Sequence, residues 1–207
     1  RENGAHNFYC KEGLTWSFIS SSKFGIRYLP TGCFFDVAGS TLFSKIDNKY
    51  TLGFLASCVC FKILRILNPT LNYQAGNIKN LHILVDKKEV VNERVSHNIQ
   101  MSKTDWDSYE TSWNFKCFPM MNRGKLVDAY AEWQADCEQR FLQLKANEEE
   151  LNRVFIEIYG LQDELASDVA DKDVTVHRIF DTKDILPDSM KGSNYVRTMR
   201  DEVTSII

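Results

Sequence analysis

The rhythm of apolar and polar positions changes twice along the chain. Over residues 8–46, short apolar runs alternate with polar residues and turn formers. Phe18, Phe24, Ile26, Tyr28 and Leu29 are strand formers, Pro30-Thr-Gly32 makes a turn, and Cys33–Phe43 reads as a β-rich pair broken at Gly39-Ser40. Asp47-Asn-Lys49 closes this stretch as a polar turn. Leu52–Leu67 is then apolar nearly all round except for Lys62 and Arg65. That pattern predicts one buried helix, capped by Thr51 and stopped ahead of Pro69. Gly76 frees the backbone for a turn into a short strand, Ile78–Val85, apolar at positions 81, 83 and 85. Residues 86–103 are charged and without clear period, and are predicted to be a connector with a short helix at most.

From Leu126 the spacing settles to three and four. Leu126, Tyr130, Trp133, Cys137, Phe141, Leu144, Leu151, Phe155 and Ile158 hold one face for about nine helical turns, with a polar gap at Glu148. Gly160 suits a left-handed cap at the end of that helix, which is read as continuous or broken near Asn147. The fold class expected is α+β: a small mixed β/α domain over residues 1–103, then a helical region over 104–207 with one long helix.

Three stretches in this order carry a resemblance. The first runs from Phe34-Phe-Asp-Val-Ala-Gly-Ser-Thr-Leu-Phe43 through Gly53-Phe-Leu-Ala-Ser-Cys58 and Asn68-Pro-Thr-Leu-Asn-Tyr-Gln-Ala-Gly76 to Ile78-Lys-Asn-Leu-His-Ile83. The second is Asp105-Trp-Asp-Ser-Tyr-Glu-Thr-Ser-Trp113. The third is Asn147–Leu161, ending in Tyr159-Gly-Leu161. Together, over most of residues 14–177, they resemble the target-recognition region and following helix of adenine-specific DNA methyltransferases, in particular the PglX-like proteins of BREX phage-resistance systems. The resemblance implies a DNA target-recognition domain at 1–103 and a helical spacer or interaction region at 104–207. It also implies double-stranded DNA as ligand and the methyltransferase domain of a parent enzyme as partner, with other defence-complex subunits beside it. S-adenosylmethionine would be the parent's cofactor. Residues 181–207 depart from the pattern, and PglX-like chains continue there, so a truncated fragment is expected.

The residues that carry methyl transfer are absent from the sequence. Adenine methyltransferases grip the flipped base with an Asp/Asn-Pro-Pro-Tyr/Phe motif, but the four prolines here (30, 69, 119 and 187) are never adjacent. A nucleotide loop needs closely spaced glycines, and none of the ten lie two apart. No cofactor, catalytic residue or metal site is therefore expected in this chain, which should be inactive alone. Cys58 and Cys60 on one helix would point about 200° apart, too far to share a tetrahedral ion. His6, His82, His97 and His177 have no ligand-like spacing, and the run Glu148-Glu-Glu150 reads as a solvated face. The six scattered cysteines suit reduced thiols and a cytoplasmic setting. The polar start Arg1-Glu-Asn-Gly4 lacks the apolar core of a leader. No apolar run reaches the roughly eighteen residues of a membrane span, so no membrane partner is expected.

Charge is divided unevenly. Residues 1–103 hold 13 Lys and Arg against 7 Asp and Glu, and residues 104–207 hold 12 against 21. A basic first half suits a polyanion-binding face. Two polar stretches there mix cations with groups able to read base edges: Ser20, Ser21, Ser22, Lys23 and Arg27, then Asn72, Gln74, Asn77 and Lys79. The same residue types build ordinary turns. Trp16 and Tyr28 are read as core. A rival reading makes the chain a protein–protein module of a defence complex, docking through the helix from Leu126. A stand-alone enzyme is the third reading.

Overall fold

The computed structural model describes residues 6–19, 24–36, 38–68, 70, 72–121 and 124–206. Two compact units emerge, each built from two stretches of chain. The first comprises residues 1–96 and 151–167, the second 97–150 and 168–207.

The first unit opens with a three-stranded antiparallel sheet of order β2-β1-β3: β1 (Gly13–Ser17), β2 (Ile26–Leu29) and β3 (Gly39–Leu42). Leu14 faces Tyr28 and Leu42, and Trp16 faces Ile26 and Ser40. Because side chains alternate, Leu14 and Trp16 face the core while Thr15 and Ser17 face outward. Gly39 and Ser40 lie inside β3 and do not break a pair. The turn comes earlier, where Asp36 Oδ1 accepts from the Ala38 and Gly39 N–H groups.

Two helices, α1 (Asn48–Ala56) and α2 (Cys58–Leu67), replace the single helix expected over Leu52–Leu67, and the chain bends by 71° between them. Ser57 causes the break. Its backbone is extended, its hydroxyl donates to Phe54 O at 2.7 Å, and the same Oγ accepts from Cys60 N–H as the cap of α2. Asn152 Oδ1 takes the next orphan donor, Cys58 N–H, at 2.9 Å. The cap of α1 is Asp47. Thr51 lies inside the helix and is bonded to Ser44 Oγ. Among the described residues no single helix is long and apolar enough to cross a membrane; α1 and α2 pass such a test only as a bent pair. Tyr50, Phe54, Leu55, Val59, Cys60 and Leu64 on these helices are buried, and burial pushes the Cys60 thiol far up, out of reactive range.

The strand expected at Ile78–Val85 does not form. Ala75–Lys79 is a short helix, α3, and residues 81–86 run without sheet partners. Two tyrosine hydroxyls satisfy this backbone instead. Tyr50 donates to Leu84 O at 2.8 Å and accepts from Asp86 N–H at 3.1 Å; Tyr159 donates to His82 O at 2.7 Å and accepts from Leu84 N–H at 3.1 Å. Burial raises both phenols, so they remain protonated. Lys88–Trp106, taken for a connector, is a 19-residue helix, α4. Within the first unit it buries Val91 and Val95, a stripe one residue wide that charged neighbours hid from the pattern. Phe155 completes this core edge-on to Tyr50 and Phe54, both at 5.7 Å.

α5 (Leu126–Tyr159) is continuous over 34 residues, as its apolar period requires. Gly160 ends it at φ +65°, with Leu161 N–H closing on Ile156 O at 2.9 Å. In the second unit Tyr130, Trp133 and Cys137 pack with Tyr109, Met120 and Ile179, and Phe141 and Leu144 pack with Val174, Val176 and Met190. The last part of the chain is less helical than expected. β4 (Arg178–Phe180) and β5 (Val196–Thr198) pair in parallel, and α6 (Met199–Thr204) follows with a Thr198–Asp201 capping box. Polar groups are buried here in pairs. Asp105 takes Arg140 at 3.2 Å and His177 Nδ1 at 2.7 Å, while Trp133 Nε1 donates to Glu202 at 2.9 Å.

Candidate nucleic-acid interface

Of the two polar stretches singled out in the sequence, the second is tied to the end of the central strand of the small sheet. Beyond β1 the chain continues extended, and Ile19 forms an isolated antiparallel bridge with Asn72. Tyr73 N–H donates to Phe18 O at 2.8 Å, and the buried Trp16 indole donates to Tyr73 O at 2.8 Å. Asn72 is thus held by its bridge to Ile19, and the tryptophan fixes its neighbour Tyr73. Ser20, Ser21, Ser22 and Lys23 lie outside the described residues.

Strand parity assigns the faces. Thr15, Ser17 and Ile19 share the outer face, and Arg27, opposite Thr15, joins them with its guanidinium 3.3 Å from Ser17 Oγ. Asn72, opposite Ile19, belongs to the same side, and its side chain is exposed. Gly39 and Thr41 of β3 complete the row. A shallow cavity of about 320 Å³ lies against this face, lined by Thr15, Leu29, Phe34, Phe35, Asp36 and Gly39. Phe34 beside it is 72% exposed. Among the described residues the face therefore carries hydroxyls, the Arg27 cation, the Asp36 carboxylate and the exposed Ile19, with an aromatic edge.

Asn68 organises the second loop. Its Nδ2 donates to Asn72 O at 2.5 Å, and its Oδ1 accepts from the Thr70 hydroxyl at 2.7 Å. Asn77 caps α3: its Oδ1 accepts from Gln74 N–H at 3.0 Å. That oxygen is committed to the loop, whereas Gln74 and Lys79 are exposed. Ile78 is buried and anchors α3 between them. The sequence marked Asn72 and Arg27 but not Thr15 and Ser17, which carry no motif and are brought beside Arg27 only by strand parity in the formed sheet.

Gly13 and Gly53 are packed against protein atoms at 3.0 Å, and Gly25, Gly76, Gly124 and Gly160 border open space. Among the described residues no three His, Cys, Asp or Glu side chains cluster as metal ligands would.

The sequence is homologous to a segment of the adenine-specific methyltransferases. It is 40% identical over 192 residues to the adenine-specific methyltransferase PglX of Lacticaseibacillus casei (strain Zhang), a match covering 88% of this chain and 16% of the relative. It is 28% identical over 161 residues to the adenine-specific methyltransferase BrxX of Escherichia coli O9:H4 (strain HS), covering 75% of this chain and 13% of the relative. The chain thus spans about one sixth or less of the length of these relatives. No family model matches it.

Proposed function

We propose that this chain is the DNA sequence-recognition part of an adenine-specific methyltransferase serving a BREX-type phage-defence system, with methyl transfer carried out elsewhere in a parent enzyme. The observation that supports the reading is the Ile19–Asn72 bridge, which ties the segment carrying Asn72 and Gln74 to the end of the central strand, beside the face that holds Arg27. Arg27 and Lys79 then contact phosphate, while Asn72 and Gln74 reach base edges, where amides pair bidentately with adenine. The homology supports the parentage. The rival reading, a docking module built on the helix from Leu126, loses its main support: Phe141 and Leu144 of that helix are already covered by Val174, Val176 and Met190 of the same unit.

Titration of the full chain with fluorescent duplexes over a salt series tests the proposal. The expected affinity falls steeply with salt, and Arg27→Ala lowers the slope by about 0.9 whatever the sequence. Asn72→Ala costs about 1–3 kcal/mol on the preferred sequence alone. Binding that ignores salt, or that survives both substitutions unchanged, refutes the assignment.

A further inference from the structure

The connection between α4 and α5 departs from the charge balance of its half of the chain. Residues 107–125 contain Lys116, Arg123 and Lys125 against two acids, Asp107 and Glu110, where acids otherwise outnumber bases. They also hold Trp113, which at 102% relative exposure projects wholly into solvent. A tryptophan so placed leaves most of its apolar area in water, which costs free energy unless a ligand covers it.

The surrounding turn is held in place on both sides of the indole. Ser112 is buried and its hydroxyl donates to Asp107 at 2.6 Å. The same Oγ accepts from Asn114 N–H at 3.1 Å, and Phe115 N–H returns to Ser112 O at 3.2 Å. Asp107 is paired with Lys103, so its charge is answered within the turn. Further on, Phe115 and Phe118 pack edge to face at 4.9 Å, and Met120 enters the core beside Tyr109 and Tyr130. Trp113 is therefore presented by an anchored turn, with exposed Lys116 three residues on and exposed Lys125 closing the connection.

A fixed, bare aromatic plane accompanied by cations matches the chemistry of an unpaired nucleotide, in which a π-face alternates with phosphate. We propose that residues 112–118 form a second nucleic-acid contact, in which Trp113 stacks on a base that has left the duplex stack and Lys116 and Lys125 neutralise neighbouring phosphates. Nucleic acid is favoured over a lipid surface by the reading of the chain as part of a DNA methyltransferase, on which the inference rests; enzymes that modify a base take it out of the stack.

The test uses the full chain with Trp113→Ala, Lys116→Ala and Lys125→Ala. Because Trp113 touches nothing it needs for folding, circular dichroism and the melting temperature should match the parent chain. With a single-stranded oligonucleotide, or a duplex bearing one unpaired base, the parent chain should show tryptophan quenching. Trp113→Ala should lose that quenching and bind about tenfold or more weakly. Each lysine substitution should lower the single-strand salt slope by about 0.7. Fully paired duplex should be affected by Arg27→Ala and little by Trp113→Ala, which separates this contact from the first. If paired duplex fails to respond to Arg27 while unpaired DNA responds to Trp113, the sheet-face reading falls and this one stands. Absence of binding to unpaired DNA, or equal binding by Trp113→Ala, overturns the proposal. So does a change in oligomeric state on removing Trp113, or quenching by anionic vesicles in place of DNA.

Discussion

Gly53 is the position where helix propensity and packing pull in opposite directions, and the structure decides which wins. It lies in α1, where alanine is favoured over glycine by about 1 kcal/mol. A methyl added there would sit 3.0 Å from Cγ1 of Val91, 3.0 Å from Cγ2 of Val95 and 3.5 Å from the Phe155 ring. Both valines are buried in α4, where β-branching leaves one strongly preferred rotamer, so neither can swing aside. Overpacking of this kind costs about 1–3 kcal/mol, which leaves Gly53→Ala destabilised by up to about 2 kcal/mol after the propensity gain. Gly76→Ala is the control. It sits in α3 with nothing within 4 Å of the new methyl, and should gain up to about 1 kcal/mol. Urea unfolding followed by circular dichroism measures both as shifts in midpoint. In a Val91→Ala, Val95→Ala background the Gly53 methyl should become stabilising. If Gly53→Ala alone is more stable than the parent chain, as propensity without overpacking would make it, α1 and α4 do not pack this closely.

Asn152→Ala should destabilise the first unit by about 2–4 kcal/mol, since it strands the Cys58 N–H and the Ser167 carbonyl that the buried amide now satisfies; an effect below 1 kcal/mol in urea unfolding would contradict that. In the second unit, Asp171 is held below the usual carboxylate range by the hydrogen bond from Lys145 and then by Ser189. A depressed pKa stabilises fully above the unfolded value of about 3.9 and is lost as pH falls through the folded one. Asp171→Asn should therefore lower the melting temperature by a constant amount above about pH 5 and converge on the parent chain at lower pH.

Legibility in the sequence followed the physics of each element. The helical character of α5 was plain, since its apolar period holds to Ile158 and Gly160 marks the end, although the polar gap at Glu148 left its continuity past Asn147 open. The break at Ser57 was not, since a serine in an apolar run gives no local sign that its hydroxyl will cap the next helix. α4 was missed because its burial in the first unit rests on Val91 and Val95 alone. Residues 81–86 alternate like a strand, but the hydroxyls of Tyr50 and Tyr159 supply the partners that a sheet would have given. For the interface, residue type pointed to Arg27, Asn72 and Gln74. The pairing of Ile19 with Asn72 is a long-range contact that no local pattern encodes.

Photocrosslinking tests the recognition claim most directly. A benzophenone amino acid placed at exposed position 19, opposite Asn72, and another at exposed Gln139 on α5 as control, would be irradiated with a random duplex library and the captured DNA sequenced. The account predicts that position 19 captures far more DNA than position 139, and that the captured pool is enriched in one short adenine-containing motif. Equal capture at the two positions, or a pool from position 19 with no shared motif, would contradict it.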